Sequence, residues 1–296
     1  MKKILVILGQ TATGKSDLAV RLAKTIRGEI ISADSRQIYK GLDIGTGKIT
    51  KKEMLGVPHY LLDVANPKRK FTVAQYQKST FSTITEIVDR GKIPIICGGT
   101  GFYIDAITKG TLFPKVPPNL ELRKILEKKS IPELFIVLKK LDRNRAKNID
   151  PKNKVRLIRA IEIAKYLGKV PRLATRSPSY KFIKIGLYLP PEKLKKKIER
   201  RVKKMFKAGL LKEIQKLKKL GISEKRFKEL GFEYYHPTPE KVIRETLKYA
   251  KRQMTWFKRD KEIKWLDASL AESRRASDKT LFKKICYIFS LKYAIL

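Results

Sequence analysis

Eight consecutive residues, Gly9-Gln10-Thr11-Ala12-Thr13-Gly14-Lys15-Ser16, satisfy every fixed position of the pattern G-x-x-x-x-G-K-[ST]. The glycines let the backbone turn so that its N–H groups converge on phosphate oxygens, Lys15 adds a point charge, and the Ser16 hydroxyl can ligate Mg2+. The residues that follow, Asp17–Thr25, read as an amphipathic helix whose N-terminal dipole end adds to the anion site. The pattern specifies a diphosphate or triphosphate without saying which. Asp34 is the second chemical candidate. It closes a strand read over Glu29–Ser32, and ligands bind at the C-terminal ends of parallel strands. Its carboxylate could act as a general base, ligate magnesium, or merely cap a helix beginning near Arg36. A nucleotide hydrolase would hold its metal with an aspartate ending an apolar strand. Here the run Ile93–Cys97 ends instead in Gly98-Gly99-Thr100-Gly101.

These groups need a frame. Short β-branched runs at Ile4–Leu8, Glu29–Ser32, Ile93–Cys97 and Ile183–Leu189 alternate with longer helical patterns, which predicts a P-loop-containing parallel α/β sheet flanked by helices. From Pro114 the texture turns helical, with Asn119–Lys129 and Asn153–Leu167 bounded by Pro117-Pro118 and the loop Arg172–Ser179. The expected organisation is a core in 1–113, a helical insertion domain in 114–178, and the rest of the core with a basic helical C-terminal region in 179–296. A helix pair over Pro191 to about Leu220 would bury Ile198, Val202, Phe206 and Leu210. A further helix, Pro239–Asp260, would bury Val242, Ile243, Leu247, Ala250, Met254 and Phe257 and turn Lys251 and Arg252 outward.

The 296 residues carry 69 Lys+Arg against 28 Asp+Glu, a formal charge of +41. Residues 1–150 hold 28 basic and 14 acidic side chains and residues 151–296 hold 41 and 14, so the back half carries about twice the excess. With 42% hydrophobic residues spread along the chain, a folded core is expected and the charge must sit on its surface. That balance points to a polyanion, nucleic acid being the commonest, against a solvated lysine-rich surface. Two distant cysteines, Cys97 and Cys286, make neither a disulfide framework nor a metal site, which favours a reducing compartment. Ile4–Leu8 is too short for a signal segment, and Ile285–Leu296, broken by Lys292, falls short of a membrane span of roughly 18 residues. A soluble cytoplasmic protein is expected. A monomer is expected too, since no sustained heptad or large apolar helix face is left over.

Beyond the P-loop, the blocks Ser32-Ala33-Asp34-Ser35-Arg36-Gln37-Ile38-Tyr39, Gly41-Leu42-Asp43-Ile44-Gly45-Thr46, His59-Tyr60-Leu61-Leu62-Asp63 and Gly98-Gly99-Thr100-Gly101-Phe102-Tyr103 resemble the tRNA dimethylallyltransferase family. Val155-Arg156-Leu157-Ile158-Arg159-Ala160-Ile161-Glu162 and Lys251-Arg252-Gln253-Met254-Thr255-Trp256-Phe257 continue the resemblance, which covers residues 1 to about 267 in order. Two stretches depart from it. Gly231-Phe232-Glu233-Tyr234 stands where the family more often has a G-[IY]-G-Y-like turn, and the tail after Asp267 resembles nothing in the family.

The resemblance implies transfer of a dimethylallyl group from dimethylallyl diphosphate to N6 of adenosine 37, in the anticodon stem-loop of tRNA, releasing diphosphate. The P-loop, Gly9 to Ser16, would then grip the diphosphate with Mg2+ on Ser16. Asp34 would take the amine proton, and Lys15, Ser16 and Arg156 would stabilise the leaving group. Asp34, Ser35, Arg36 and Gln37, with Val155, Arg156, Leu157, Ile158 and Arg159, would face the tRNA, joined by Thr100 and Arg123. Lys251, Arg252 and Gln253 would add an RNA face, and Trp256 could stack on a base or belong to the core. The target base would have to flip out of its stack. Three other classes stay open: a P-loop small-molecule kinase with an early strand-end aspartate as base, an adenylate prenyltransferase needing no RNA surface, and a non-catalytic RNA-binding module that leaves the P-loop idle.

Overall fold

The computed structural model describes residues 2–176 and 179–271. The described residues form two compact units, one from 2–109 and 179–271, the other from Gly110–Arg176. The larger unit begins with β1 (Lys3–Gly9), α1 (Lys15–Ile26), β2 (Gly28–Ser32), α2 (Lys51–Met54), β3 (His59–Tyr60), α3 (Val73–Asp89), β4 (Ile93–Gly98) and α4 (Gly101–Thr108). The smaller unit holds α5 (Leu120–Lys128), α6 (Ile131–Leu141), α7 (Arg143–Lys147) and α8 (Lys154–Leu167). The larger unit resumes with β5 (Lys181–Tyr188), α9 (Pro191–Lys207), α10 (Leu210–Lys219), α11 (Glu224–Leu230), α12 (Pro239–Phe257) and β6 (Lys264–Asp267).

All neighbouring strands run parallel, in the order β3-β2-β4-β1-β5-β6. A parallel sheet is covered on both faces, so its central strands are apolar throughout. Six of the seven residues of β1 are buried accordingly. Side chains alternate across the sheet: Ile4, Val6 and Leu8 join a core with α3, α4, α10 and α11, while Leu5 and Ile7 join one with α1, α9 and α12. The chain leaves β1 toward β2 on one side and later returns to β5 on the other, so the P-loop follows a central strand where the winding reverses, the place at which such sheets bind ligands. The edge strands β3 and β6 span two and four residues, too short for an alternating pattern to announce them.

The smaller unit is helical, built on Leu126, Leu134, Leu138, Ala146, Ile149, Leu157 and Ile161. Each of its helices starts at a side chain that accepts a backbone N–H: Asn119, Ser130 in a capping box with Glu133, Asp142 and Asn153. Its start is Gly110 rather than Pro114, because Arg176 N–H donates to Gly110 O at 2.9 Å and Leu112 N–H to Ala174 O at 2.8 Å, closing the unit on itself. Among the described residues no helix is long and apolar enough to cross a membrane. Cys97 is a buried free thiol, its pKa pushed up to about 12 by burial. Cys286, the stretch Ile285–Leu296 and nearly all of the tail after Asp267 lie outside the described residues.

Candidate active site

The P-loop turns sharply at both ends. Gly9 has φ 134°, and a Cβ there would come within 2.1 Å of Leu187 O on β5; Gly14, with φ 82°, caps α1. Inside the loop Thr13 Oγ1 donates to Gln10 O at 2.8 Å, and Lys15 Nζ donates to the same carbonyl. Burial pulls the Lys15 pKa down to about 8, with Arg201 adding to the fall and Cys97 and Asp34 opposing it. Ser16 is exposed on the first turn of α1.

Asp34 follows β2 in a turn, not a helix. Its Oδ1 accepts from Arg36 N–H at 2.8 Å and Gln37 N–H at 3.3 Å, which leaves Oδ2 without a hydrogen bond from either. The β4–α4 turn holds the loop from the other side: Thr100 N–H donates to Ala33 O at 3.1 Å and Ser35 N–H to Thr100 Oγ1 at 3.0 Å. Gln37 Nε2 reaches Thr46 O at 3.3 Å. The Asp43–Gly45 amides donate to the buried Glu213 carboxylate of α10, which also takes the Tyr234 hydroxyl at 2.8 Å.

Two groups absent from the sequence expectation complete this end of the sheet. Arg201 of α9 donates to Thr11 Oγ1 at 3.1 Å and to Thr46 O at 2.8 Å. Burial holds its pKa below the usual value, while Asp34 and Glu233 oppose that shift. Glu233 stands over Gly231, where a Cβ would lie 2.9 Å from Glu233 Oε2 and 3.8 Å from Arg36 Nε. Burial raises the Glu233 carboxyl to about 7, with Asp34 adding to the rise and Arg36 and Arg201 opposing it. Both residues carried a legible signal. Leu194, Ile198, Arg201 and Met205 recur at helical spacing, so an arginine occupies an otherwise apolar stripe. Glu233 lies in the one stretch before the tail that departs from the family pattern.

A cavity of about 290 Å³ joins these groups. Thr11, Thr46 and Arg201 line it along with Asp34, Arg36 and Glu233, and Val202, Met205, Phe232 and Val242 form an apolar wall. An anion and an apolar group could thus lie together beside a carboxylate.

The inward face of α12 differs from the expectation. Thr246 and Gln253 are buried with Val242, Ala250 and Phe257, whereas Ile243, Leu247 and Met254 are only partly covered. Gln253 was expected on an RNA face. Instead it is 5% exposed, accepting from Thr11 N–H at 2.8 Å and donating to Gly99 O at 2.9 Å. Lys251 and Arg252 are exposed as expected, and Arg252 also reaches the cavity. Trp256 is half-buried against Gly101 and donates to Asp105 at 3.2 Å, the packing role rather than a free stacking platform.

In the smaller unit Val155 and Arg156 are exposed at the start of α8. Leu157 and Ile158, expected to face tRNA, are buried in its core because α8 turns that face inward. Arg123 and Arg159 are half-buried and engaged: both donate to Glu162, which is 2% exposed, with Arg123 bidentate at 2.9 and 2.8 Å. Burial pushes the Glu162 carboxyl up, and its bonds from Arg123, the Asn119 N–H and Arg159 outweigh that and hold it below the usual range.

The model of the family described as IPP transferase matches residues 37–260. The chain belongs to this family, that of the tRNA dimethylallyltransferases. It is 39% identical to the tRNA dimethylallyltransferase of Halothermothrix orenii over 98% of this chain and 94% of that one. To its counterpart in Caldanaerobacter subterraneus subsp. tengcongensis it is 41% identical over 89% and 91%. Among solved structures, the full-length tRNA isopentenylpyrophosphate transferase of Bacillus halodurans superposes with a TM-score of 0.72 at 34% identity, covering 98% of this chain and 96% of that one. A eukaryotic dimethylallyltransferase acting on tRNA superposes with a TM-score of 0.82 at 27% identity, over 98% of this chain and 80% of the other. The family membership makes the chain a prenyltransferase and sets the kinase reading aside.

Proposed function

We propose that this chain transfers the dimethylallyl group of dimethylallyl diphosphate to N6 of adenosine 37 in the anticodon stem-loop of tRNA. The observation that carries the reading is the shared cavity: a P-loop threonine, a half-buried arginine and the strand-end Asp34 line one space with an apolar wall. A diphosphate oxygen set fits the cationic end, an allyl group the wall, and an amine the carboxylate.

The exocyclic amine is a weak nucleophile because its lone pair is delocalised into the ring. As N6 attacks C1 of the allyl group, the C–O bond breaks and its electron pair leaves with diphosphate. Asp34 takes the amine proton on Oδ2, since Oδ1 is used by Arg36 and Gln37 N–H. Lys15, Arg201 and the loop amides stabilise the growing charge on the leaving diphosphate. Among the described residues no cluster of three or more His, Cys, Asp or Glu side chains is gathered for a metal. Ser16, exposed on the first turn of α1, would hold Mg2+ by its hydroxyl, with substrate phosphate oxygens and water supplying the other ligands. When bound, Mg2+ would neutralise charge on the leaving diphosphate.

Nucleoside mass analysis of an adenosine-37 tRNA, incubated with the protein, dimethylallyl diphosphate and Mg2+, should reveal N6-prenylated adenosine. Absence of the product would overturn the reading, and prenylation of free adenylate without any of tRNA would favour an adenylate prenyltransferase. The surplus charge argues for RNA: exposed Lys251 and Arg252, with Val155 and Arg156 of the smaller unit, supply its contacts in this reading. Changing Lys251 to Ala is expected to raise the KM for tRNA and flatten its log–log salt slope by about 1, with kcat retained. Titrations at several salt concentrations check this, and a loss in kcat alone would contradict a binding role.

Donor binding should also respond to pH with a definite sign. As pH rises through about 7, Glu233 ionises and adds negative charge beside Arg201 and Arg36. As pH rises through about 8, Lys15 loses its charge. Both steps weaken diphosphate affinity. Glu233→Gln is expected to remove the first step and keep the second, read as the ratio of parent to variant Kd at each pH, which cancels the ligand's own titration. A constant ratio from pH 6 to 8 would contradict it.

A further inference from the structure

The P-loop and the Asp34 loop follow different strands, β1 and β2, with β4 between them in the sheet. Catalysis as proposed needs the diphosphate and the proton acceptor fixed relative to each other within a fraction of an ångström. The sheet sets where the strands end but not the loops beyond them. A continuous set of hydrogen bonds spans the gap. Thr11 N–H donates to Gln253 Oε1 at 2.8 Å, and Gln253 Nε2 donates to Gly99 O at 2.9 Å. One residue on, Thr100 N–H donates to Ala33 O and Thr100 Oγ1 accepts from Ser35 N–H, so the residues either side of Asp34 are pinned to the same turn. Gln10 Nε2 adds a longer bond to Ala250 O, again on α12.

We infer that Gln253 is a positioning residue, a strut from α12 that fixes the diphosphate loop to the turn carrying Asp34's supports, rather than a contact for RNA. The inference rests on the reading of the P-loop as the donor site. Three features of the side chain suit the role. It is buried, both ends of its amide are used, and a neutral amide presents an acceptor and a donor side by side at the end of a long side chain. The turn is shaped for it: a Cβ on Gly99 would stand 2.3 Å from Gln253 Nε2, so a glycine lets the strut pass. The neighbouring Lys251 and Arg252 are exposed, Arg252 at the mouth of the cavity, so one helix presents a basic outer face and this inner tie.

The test uses the full-length protein in four forms: parent, Gln253→Met, Gly99→Ala and the double variant. Met keeps the length and removes both hydrogen bonds, while Ala at 99 drives the amide out of place and leaves Gln253 itself intact. Inorganic diphosphate with Mg2+ is titrated in the absence of RNA, an anticodon stem-loop RNA is titrated at several salt concentrations, and kcat is measured with saturating substrates. Each single variant is expected to weaken diphosphate binding about tenfold and lower kcat about tenfold, with RNA affinity and its salt slope within twofold of the parent. Because both act on one contact, the double variant is expected to be no worse than the weaker single. Weakened RNA binding with unchanged diphosphate affinity would overturn the inference in favour of an RNA contact, as would additive losses in the double variant. Should Gln253→Met fail to fold, as judged by thermal unfolding, Gly99→Ala carries the same test. Diphosphate binding is read without turnover, so a parent that binds diphosphate yet prenylates no tRNA refutes the proposed function and leaves the strut standing.

Discussion

Asp34→Asn is expected to lower kcat about 1,000-fold while leaving tRNA affinity within about twofold. The asparagine carbonyl oxygen can still accept from Arg36 and Gln37 N–H, so the turn that presents the side chain survives. What disappears is the second oxygen as a proton acceptor. The KM for the donor should not rise, and a modest fall is expected, because removing a negative charge near Lys15 and Arg201 makes the pocket more attractive to diphosphate. A collapse in kcat together with an unchanged or lower KM is the signature of a group that acts only in the transition state. Asp34→Ala should be equally inactive and also less stable by about 1 kcal/mol, since it removes the acceptor for two loop amides. Single-turnover measurements with quenched samples check both. An Asn variant within threefold of the parent would remove Asp34 from the chemistry.

Arg201→Met is the second large effect: kcat/KM for the donor should fall about 1,000-fold, through both kcat and KM. Loss of one pre-organised donor at developing charge costs about 100- to 1,000-fold, and here the full charge of a guanidinium goes with it. The variant also leaves Asp34 and Glu233 with one fewer counter-charge in a half-buried setting. Thr46 O keeps its bond from Gln37, so the loop over Arg201 retains one of its ties. Arg201→Lys is not expected to rescue, because an ammonium is a point charge and cannot match the fork that reaches Thr11 and Thr46 together. Affinity for tRNA without donor should be unchanged. Donor and acceptor titrations on the two variants separate these outcomes, and recovery in the lysine variant would show that charge alone is what Arg201 supplies.

Much of the architecture was legible in local pattern. The continuous apolar run of β1, its glycine turn and the helix after it can be read from residues 3–26, since each follows from rules of spacing a few residues wide. The same holds for Asn119 and Asn153 as helix starts and for the parallel order of alternating elements. The two edge strands escaped because two and four residues hold no period. The site divides in the same way. Residues gathered by one stretch of chain, Gly9 to Ser16 and Asp34 to Gln37, could be named from sequence. Arg201, delivered by a helix more than 150 residues away, could not, and Gln253 could be named only as an RNA contact, because composition made both look like surface.

Arg201 sits among lysines in α9, and Gln253 beside Lys251 and Arg252. In both cases the meaning lay in the helical face and not in the neighbours along the chain. The stripe Leu194, Ile198, Arg201, Met205 turns an arginine inward, and Ala250, Gln253, Phe257 does the same for a glutamine. A buried polar side chain must find partners, so such a residue in an apolar stripe is a reason to look for what it holds. By itself the sequence determined the phosphate loop, the strand-end carboxylate and the charge that calls for a polyanion, because each depends on residues close together or on a sum over the chain. Only the tertiary structure decided which cation reaches the loop, that Glu233 shares the cavity, and that Gln253 ties two loops together. Those are distances between segments far apart in sequence, and they exist only once the sheet and its helices have packed.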